Sequence, residues 1–343
     1  MWRKCLVVII GLCVLAGIAT PAFAQSSRRQ LITTQTANKL VPIATLNPKA
    51  QGPRGISSVA ISPNNAVIGL AMRDGTVRLW TFEPVQELYV LKGHQSVVTS
   101  VGFSASGVWA ISASNDRTIR FWDAARGEEI NQLGPGKAPI TSLAFSPNGE
   151  FMASGAIDEL VSLWEVNSGN REKVWKGHNG AILSVAFSAD SKMVASAGVD
   201  KVVKLWDAET FEPMGDLRGA ANQIFGVAFS PDRRLIAAGE RAQPRSTIYL
   251  WRLDSGELLG TLDGVQGQLA SLTFSADGSL LAVGRSNSTV ELWDVTTLML
   301  VNTLTVPNAD PQTLVSGLTF SQDGTLLIAA HGPDEVIVYG VAP

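Results

Sequence analysis

Histidine, serine and aspartate recur together in two stretches of this sequence, and these residue types can perform nucleophilic catalysis. The two sets have identical spacing and each ends in a tryptophan: His94, Ser112, Asp116 and Trp122, then His178, Ser196, Asp200 and Trp206. A histidine that takes the proton of a serine and is oriented by an aspartate is how hydrolases activate a nucleophile. The same side chains can also form a buried hydrogen-bond network. Whether they are catalytic or structural depends on the strands and loops that carry them.

The two sets lie in a repeat that extends through most of the chain. A Phe-Ser pair, in one copy Ile-Ser, recurs at steps of 42, 42, 42, 42, 45 and 46 residues. The first residues of these pairs are Ile61, Phe103, Phe145, Phe187, Phe229, Phe274 and Phe320. An aromatic residue follows each pair in the same rhythm, at Trp80, Trp122, Trp164, Trp206, Trp251, Trp293 and Tyr339. Because a catalytic triad is needed only once, its recurrence in register favours a structural role for the histidines.

Each copy of the repeat has the residue pattern of short strands. In the second copy, the segments VTSVGFS, VWAISAS, TIRFWD and EEINQL are rich in β-branched, aromatic and small residues, and turn-forming residues separate them. This pattern predicts four antiparallel strands per copy. Along the first strand, bulky side chains (Val101, Phe103) alternate with small ones (Ser100, Gly102). Each copy is therefore expected to pack a bulky face against a small face of its neighbour and to be unstable alone.

Gly-His near one end of the repeat and Trp-Asp near the other resemble the signature of WD-repeat (WD40-type) β-propellers. These dipeptides stand at Gly93-His94 and Gly177-His178, and at Trp122-Asp123, Trp206-Asp207 and Trp293-Asp294. The resemblance covers residues 38–343. It implies an all-β fold, a seven-bladed β-propeller with four antiparallel strands per blade.

The resemblance also implies a role for the histidines. In this family, a histidine in the loop before the innermost strand binds a serine on the second strand. The serine binds the indole of the tryptophan, and the aspartate holds the histidine. A third set keeps Ser154, Asp158 and Trp164 but has Gly136 at the histidine position. All three sets are expected to be structural tetrads, because an unpaired buried donor costs about 1–3 kcal/mol.

The start of the repeat region is expected to close the ring. Residues 38–46, NKLVPIATL, resemble the outer strand of a blade, and the last copy lacks a fourth strand. As the closing outer strand of the last blade, this segment would cover two exposed sheet edges; the alternative is a disordered tail. Residues 25–37 are polar and are expected to form a loose lead-in.

Residues 1–24 have the layout of a secretory signal peptide. Arg3 and Lys4 precede an apolar run over residues 5–19, and Ala22-Phe23-Ala24 is a small-x-small cleavage site. We expect cleavage after Ala24 and export to the periplasm or the medium. The alternative is a retained membrane anchor, although a membrane span needs about 20 apolar residues.

The composition of the predicted mature chain argues against some classes of partner. Both cysteines lie within residues 1–24, so the mature chain contains no thiol and no disulfide. Removal of Arg3 and Lys4 leaves 25 basic against 30 acidic residues. This balance argues against electrostatically driven binding of nucleic acid, and no stable membrane insertion of the mature chain is expected.

The innermost strands lack the side chains of a metal or acid–base site. Propeller enzymes place such groups on these strands, but the seven segments here contain no Asp, Glu, His, Lys, Arg, Tyr or Cys. The third histidine, His331 in AAHGPDE, is expected to be a solvated turn residue. The sequence therefore predicts a non-catalytic protein that binds no cofactor and no metal. The alternative is an enzyme, or a sugar or lipid binder, that uses loop residues over the channel mouth.

A partner-binding surface is predicted on one rim of the propeller. All differences in repeat length fall in loops of this rim, and insertions on one face often mark the binding face; neutral drift of the loops is the alternative. The candidate residues are Lys49, Arg54, Arg73, Glu240, Arg241, Arg245, Arg285, Asp310 and Gln312. The predicted partner is another protein, bound by a monomeric propeller that acts as an interaction scaffold.

Overall fold

The computed structural model describes residues 29–49, 55–263, 267–306 and 313–342. In these residues the chain forms one short 3₁₀ helix, η1 (Ala37–Lys39), and 28 β-strands in seven four-stranded antiparallel sheets. No helix in this part of the chain is long and apolar enough to cross a membrane. The predicted signal peptide lies outside the described residues. The first strand, β1 (Leu40–Leu46), belongs to the last sheet.

The first four blades follow the order of the sequence, with the innermost strand first. Blade 1 consists of β2 (Ile56–Ile61), β3 (Ile68–Met72), β4 (Thr76–Phe82) and β5 (Val85–Lys92). Blade 2 consists of β6 (Val98–Phe103), β7 (Trp109–Ser114), β8 (Ile119–Asp123) and β9 (Glu128–Leu133). Blade 3 consists of β10 (Ile140–Phe145), β11 (Phe151–Ala156), β12 (Leu160–Glu165) and β13 (Arg171–Lys176). Blade 4 consists of β14 (Ile182–Phe187), β15 (Met193–Gly198), β16 (Val203–Asp207) and β17 (Pro213–Leu217).

The last three blades repeat this order, and the seventh takes its outer strand from the start of the chain. Blade 5 consists of β18 (Ile224–Phe229), β19 (Leu235–Glu240), β20 (Thr247–Arg252) and β21 (Leu258–Asp263). Blade 6 consists of β22 (Leu269–Phe274), β23 (Leu280–Arg285), β24 (Thr289–Asp294) and β25 (Leu300–Thr305). Blade 7 consists of β26 (Val315–Phe320), β27 (Leu326–His331), β28 (Glu335–Val341) and β1. The predicted fold class, an all-β seven-bladed β-propeller, is confirmed.

The serine of the Phe-Ser marker fixes the turn between the first two strands of a blade. In blade 4 the hydroxyl of Ser188 donates to Asp190 Oδ1 at 2.6 Å and accepts the backbone N–H of Met193 at 2.9 Å. Blades 5, 6 and 7 repeat the same pair of hydrogen bonds. The marker therefore recurs because a short polar side chain at this place satisfies turn groups that no strand partner reaches.

The hydrophobic core lies between the blades. Each of the seven buried clusters draws its residues from two adjacent blades. The small residues of the innermost strands permit this close approach: a Cβ added at Gly102 would lie 2.2 Å from the ring of Phe145 in the next blade. Ser142 and Ser184 each accept a backbone N–H of the next innermost strand at 3.1 Å. At the blade interfaces that contain these residues, the small face of one innermost strand thus packs against the next blade, as the alternation of bulky and small residues predicts.

The start of the propeller closes the ring. Strand β1 pairs antiparallel with β28 from Leu40↔Val341 to Leu46↔Val336, so the predicted closing strand is confirmed. The described part of the lead-in, residues 29–37, is not loose. Ile32 is only 2 % exposed, and its N–H donates to the carbonyl of Gly324 in blade 7 at 2.9 Å. The interpretation as a loose segment was wrong here because it weighed the polar residues and overlooked one isoleucine that enters the core.

Candidate functional site at the channel mouth

The first complete tetrad joins loop, sheet and turn of blade 2. The indole Nε1 of Trp122 donates to Ser112 Oγ at 2.9 Å, and His94 Nε2 lies 2.9 Å from the same oxygen. Because the indole can only donate, the serine hydrogen is left for Nε2, and His94 Nδ1 donates to Asp116 Oδ2 at 2.9 Å. Burial lowers the pKa of His94, and the nearby Asp116 only partly opposes this shift, so the imidazole is neutral at pH 7.

The second tetrad has the same geometry in blade 4. His178 Nε2 lies 2.7 Å from Ser196 Oγ, which also accepts the indole N–H of Trp206 at 2.8 Å. His178 Nδ1 lies 2.9 Å from a carboxylate oxygen of Asp200. The serines of both tetrads are 0 % exposed. A hydroxyl without access to solvent cannot attack a substrate, so the geometry of these sets is that of a structural network.

The third set is incomplete in blade 3. The indole of Trp164 donates to Ser154 Oγ at 2.9 Å, as in the complete tetrads. Asp158 Oδ1 is buried and has no hydrogen-bond partner among the described residues. Gly136 supplies no side chain where the other two sets have an imidazole. The serine–tryptophan half of the tetrad therefore forms without a histidine.

Arg285 is not a rim residue, and its prediction as a partner contact is wrong. Its side chain is 0 % exposed, and Nε and Nη2 donate to Glu291 Oε2 at 3.1 and 2.8 Å. The indole of Trp293 donates to the same oxygen at 2.9 Å. Blade 6 lacks the tetrad histidine and serine. The Arg285–Glu291 ion pair instead supplies the acceptor for the indole N–H of Trp293.

Glu240 is buried as well, so it cannot contact a partner. It is 4 % exposed and accepts the backbone N–H groups of Ala221 and Asn222 at 3.0 and 2.9 Å. The hydroxyl of Tyr249 donates to it at 3.2 Å. Glu240 thus pins the loop before β18 to the sheet, which is the task of the histidine in a complete blade.

His331 is not a solvated turn residue. It is 2 % exposed at the end of β27, and its Nε2 lies 3.4 Å from the hydroxyl of Tyr339. Burial lowers the pKa of His331 to about 4. His331, Glu240 and Arg285 occupy one repeat position, because each pairs with the first residue of its innermost strand. The sequence signal was available: three blades without a tetrad histidine carry a large polar residue at this same place.

Two of the remaining rim candidates, Arg73 and Arg241, each directly follow the second strand of a blade. The guanidinium of Arg241 lies 3.6 Å from the ring centroid of Phe225, and its Nε donates to the carbonyl of Leu269 at 3.1 Å. Burial lowers the pKa of Arg241, and the charge of Arg73 lowers it further. Arg73 follows the second strand of blade 1 and Arg241 that of blade 5.

For the other rim candidates, the structure gives only exposure or no information. Lys49 and Arg245 are exposed, whereas Arg54, Asp310 and Gln312 lie outside the described residues. Below the mouth, hydroxyl-bearing and apolar residues of all seven innermost strands, with Phe225 among them, line a channel cavity of about 250 Å³. In the described part of the chain, no group of three His, Cys, Asp or Glu residues is arranged to hold a metal ion.

Two family models match the chain. The model of the IFT122 first beta-propeller matches residues 139–342, which is more than half of the chain. The model of the WD domain, G-beta repeat, matches residues 41–81 and 85–123, in the first two blades and the closing strand. No curated protein matches the chain.

Proposed function

The chain belongs to the family of the IFT122 first beta-propeller and is built of WD repeats, and on this premise we propose that it is an exported, non-catalytic scaffold. WD-repeat propellers generally mediate interactions between proteins. The partner binds on the rim at the channel mouth, where Arg73 and Arg241 contact an acidic group of that partner.

The observation that carries this proposal is the packing of Arg241, whose guanidinium lies over the ring of Phe225 and donates to the carbonyl of Leu269. The pKa of Arg241 is lowered by burial and by the charge of Arg73. Neither arginine forms a salt bridge with a carboxylate in the described residues, although acidic residues outnumber basic ones in the chain. A half-buried guanidinium without a carboxylate partner favours an anionic partner group, and a guanidinium fits a carboxylate through two parallel hydrogen bonds.

The packing of Arg241 supports a role in recognition. Its stacking on Phe225 and its bond to the Leu269 carbonyl hold the guanidinium in one orientation before any partner arrives. Preorganised arginines are common among the residues that contribute most to binding. Lys49 and Arg245, two further candidates for this rim, are exposed.

Export is the second part of the proposal. It rests on the layout of residues 1–24, with a basic start, an apolar run and a small-x-small site. Cleavage after Ala24 would leave the propeller intact, because Ile32 is the first residue of the described lead-in that enters the core. The mature chain is proposed to be a monomer in the periplasm or the medium.

The binding proposal is tested with the variant Arg73→Glu/Arg241→Glu. The tagged wild type and the variant are incubated with the exported proteins of the native host, and captured proteins are quantified by mass spectrometry. Arg234→Glu is the matched control, because Arg234 lies on the opposite rim with a side chain that is 84 % exposed. We expect the double variant to lose partners that the wild type and the control retain, and an excess of oligoglutamate peptide to displace them. Equal capture by all three proteins would refute the role of the arginines.

The export proposal is tested by cell fractionation and amino-terminal sequencing. A mature chain that begins at Gln25 outside the cytoplasm supports it. An uncleaved chain, retained in the cytoplasm or in the membrane, would refute it.

A further inference from the structure

Blade 3 contains a cavity at the place where other blades hold a buried polar or bulky side chain. The cavity has a volume of about 420 Å³ and lies between the last two strands of blade 2 and blade 3. The loop 134–138, Ser154, Asp158 and Trp164 are among its lining residues. Volumes of this size are typical of pockets that bind small ligands.

A comparison of the blades shows why the cavity exists. Blades 2 and 4 fill the space with the imidazoles of His94 and His178, and the last residue of their second strand is small. Four of the five blades without this histidine carry a large buried residue at that strand position: Met72, Glu240, Arg285 and His331. These positions are equivalent, because each residue pairs with the first residue of its innermost strand.

Blade 3 has neither substitute. The histidine position holds Gly136, and the last residue of the second strand is Ala156, which pairs with Ile140 and lines the cavity. Among the seven described blades, this is the one in which both positions are small. The space is therefore left open by the sequence of this blade in particular.

The polar groups around the cavity keep the arrangement that an imidazole requires. Ser154 Oγ accepts the indole N–H of Trp164 at 2.9 Å, the distance found in blade 2, and its own hydrogen has no acceptor among the described residues. Asp158 Oδ1 is buried and has no hydrogen-bond partner in the described part of the chain. Such groups are costly when they stay unpaired. A hydrogen-bond donor is thus presented on one side of the cavity and an acceptor on the other.

We propose that this cavity is a binding site for an imidazole group, carried either by a small molecule or by a histidine side chain of a partner. The neutral ring has an acceptor nitrogen for the Ser154 hydroxyl and an N–H for the Asp158 carboxylate, as His94 has for Ser112 and Asp116. Arg117, Lys137 and Arg171 also line the cavity. Three cations against one carboxylate favour the neutral ring over the imidazolium.

The binding is tested by titrating the whole mature protein with 4-methylimidazole at pH 8, where most of the ligand is neutral. The indole N–H signals are followed by NMR, and that of Trp164 is assigned from its absence in Trp164→Phe. A saturable shift of the Trp164 signal, with those of Trp122 and Trp206 unchanged, is expected. No shift at tens of millimolar ligand would overturn the proposal.

Three variants make the test specific. Gly136→His should abolish binding by supplying the ring within the chain, and Gly136→Ala should retain it. Gly136 can accept a side chain, because a Cβ there would lie 3.6 Å from its nearest neighbour, the carbonyl oxygen of Arg117. Asp158→Ala removes the acceptor and should weaken binding roughly tenfold. Undiminished binding in Asp158→Ala would overturn the proposal even if Gly136→His did not fold.

A second titration distinguishes the source of the imidazole. The blocked peptide acetyl-Gly-His-Gly-amide is compared with acetyl-Gly-Ala-Gly-amide under the same conditions. A Trp164 shift with the histidine peptide alone identifies a partner side chain as a competent ligand. A shift with 4-methylimidazole but with neither peptide identifies a small molecule.

Discussion

The guanidinium of Arg285 donates two hydrogen bonds to the carboxylate of Glu291, and both side chains are fully shielded from solvent. The same carboxylate oxygen accepts the indole N–H of Trp293 at 2.9 Å. Blade 6 thus satisfies the tryptophan of its repeat with an ion pair, whereas blades 2 and 4 use a serine and a histidine. Different residues can therefore supply the acceptor for the tryptophan, although in blade 1 the indole N–H of Trp80 is buried without a partner among the described residues.

Removal of one member of this pair should destabilise the protein strongly. Arg285→Met leaves the Glu291 carboxylate buried without its cation, and we expect a loss of about 3–5 kcal/mol in the free energy of unfolding. Urea denaturation followed by tryptophan fluorescence measures this change. The double variant Arg285→Met/Glu291→Leu should lose only about 1–3 kcal/mol, because the Trp293 indole is then the main unsatisfied group. Equal losses in the two variants would contradict this assignment.

His331 should make stability depend on pH. Burial lowers its pKa from the ordinary histidine value of 6.5, which applies to the unfolded chain, to about 4 in the folded protein. Between these values the unfolded state binds more protons than the folded state, so stability is complete above pH 6.5 and falls as the pH falls towards 4. The contribution of His331 to this fall is about 3 kcal/mol between pH 7 and pH 4.

The pH prediction is checked by urea denaturation at several pH values for the wild type and His331→Gln. Carboxylates that titrate in the same range contribute to both proteins, so the difference between the two curves isolates the histidine. The wild type should lose more stability than the variant on acidification. Parallel curves would show that His331 is protonated in the folded state at no cost.

The fold could be predicted from the sequence because the same physical requirement recurs seven times. Phe-Ser marks a turn and an alternating strand, and one copy would have been weak evidence for either. The residues of the partner-binding rim were predicted less well. They were chosen from differences in loop length, and loop length does not show whether a side chain is buried. Glu240 and Arg285 are the last residues of strands that are buried on both faces, so their side chains lie in the interior. The cavity of blade 3 could not be predicted, because it results from two small residues, Gly136 and Ala156, that meet only in the fold.

Gly102 should tolerate no larger residue. A Cβ at this position would lie 2.2 Å from a ring carbon of Phe145 in the next blade, so Gly102→Ala forces the interface apart. We expect a loss of about 1–3 kcal/mol, which the lower chain entropy of alanine offsets only in part. Thermal and urea denaturation measure it. Gly136→Ala is the matched control and should be nearly neutral, since its Cβ has room. Recovery of stability in Gly102→Ala/Phe145→Leu would locate the clash.

Ile32 should contribute to stability although it precedes the first strand. It is 2 % exposed in the cluster shared by blades 6 and 7, whereas its neighbour Leu31 is 55 % exposed. Ile32→Ala should cost about 2–5 kcal/mol through lost burial and a cavity, and Leu31→Ala should change stability by less than about 0.5 kcal/mol. Urea denaturation of the two variants beside the wild type makes the comparison. Similar small effects for both would mean that the lead-in is detached in solution and that β1 alone holds the ring closed.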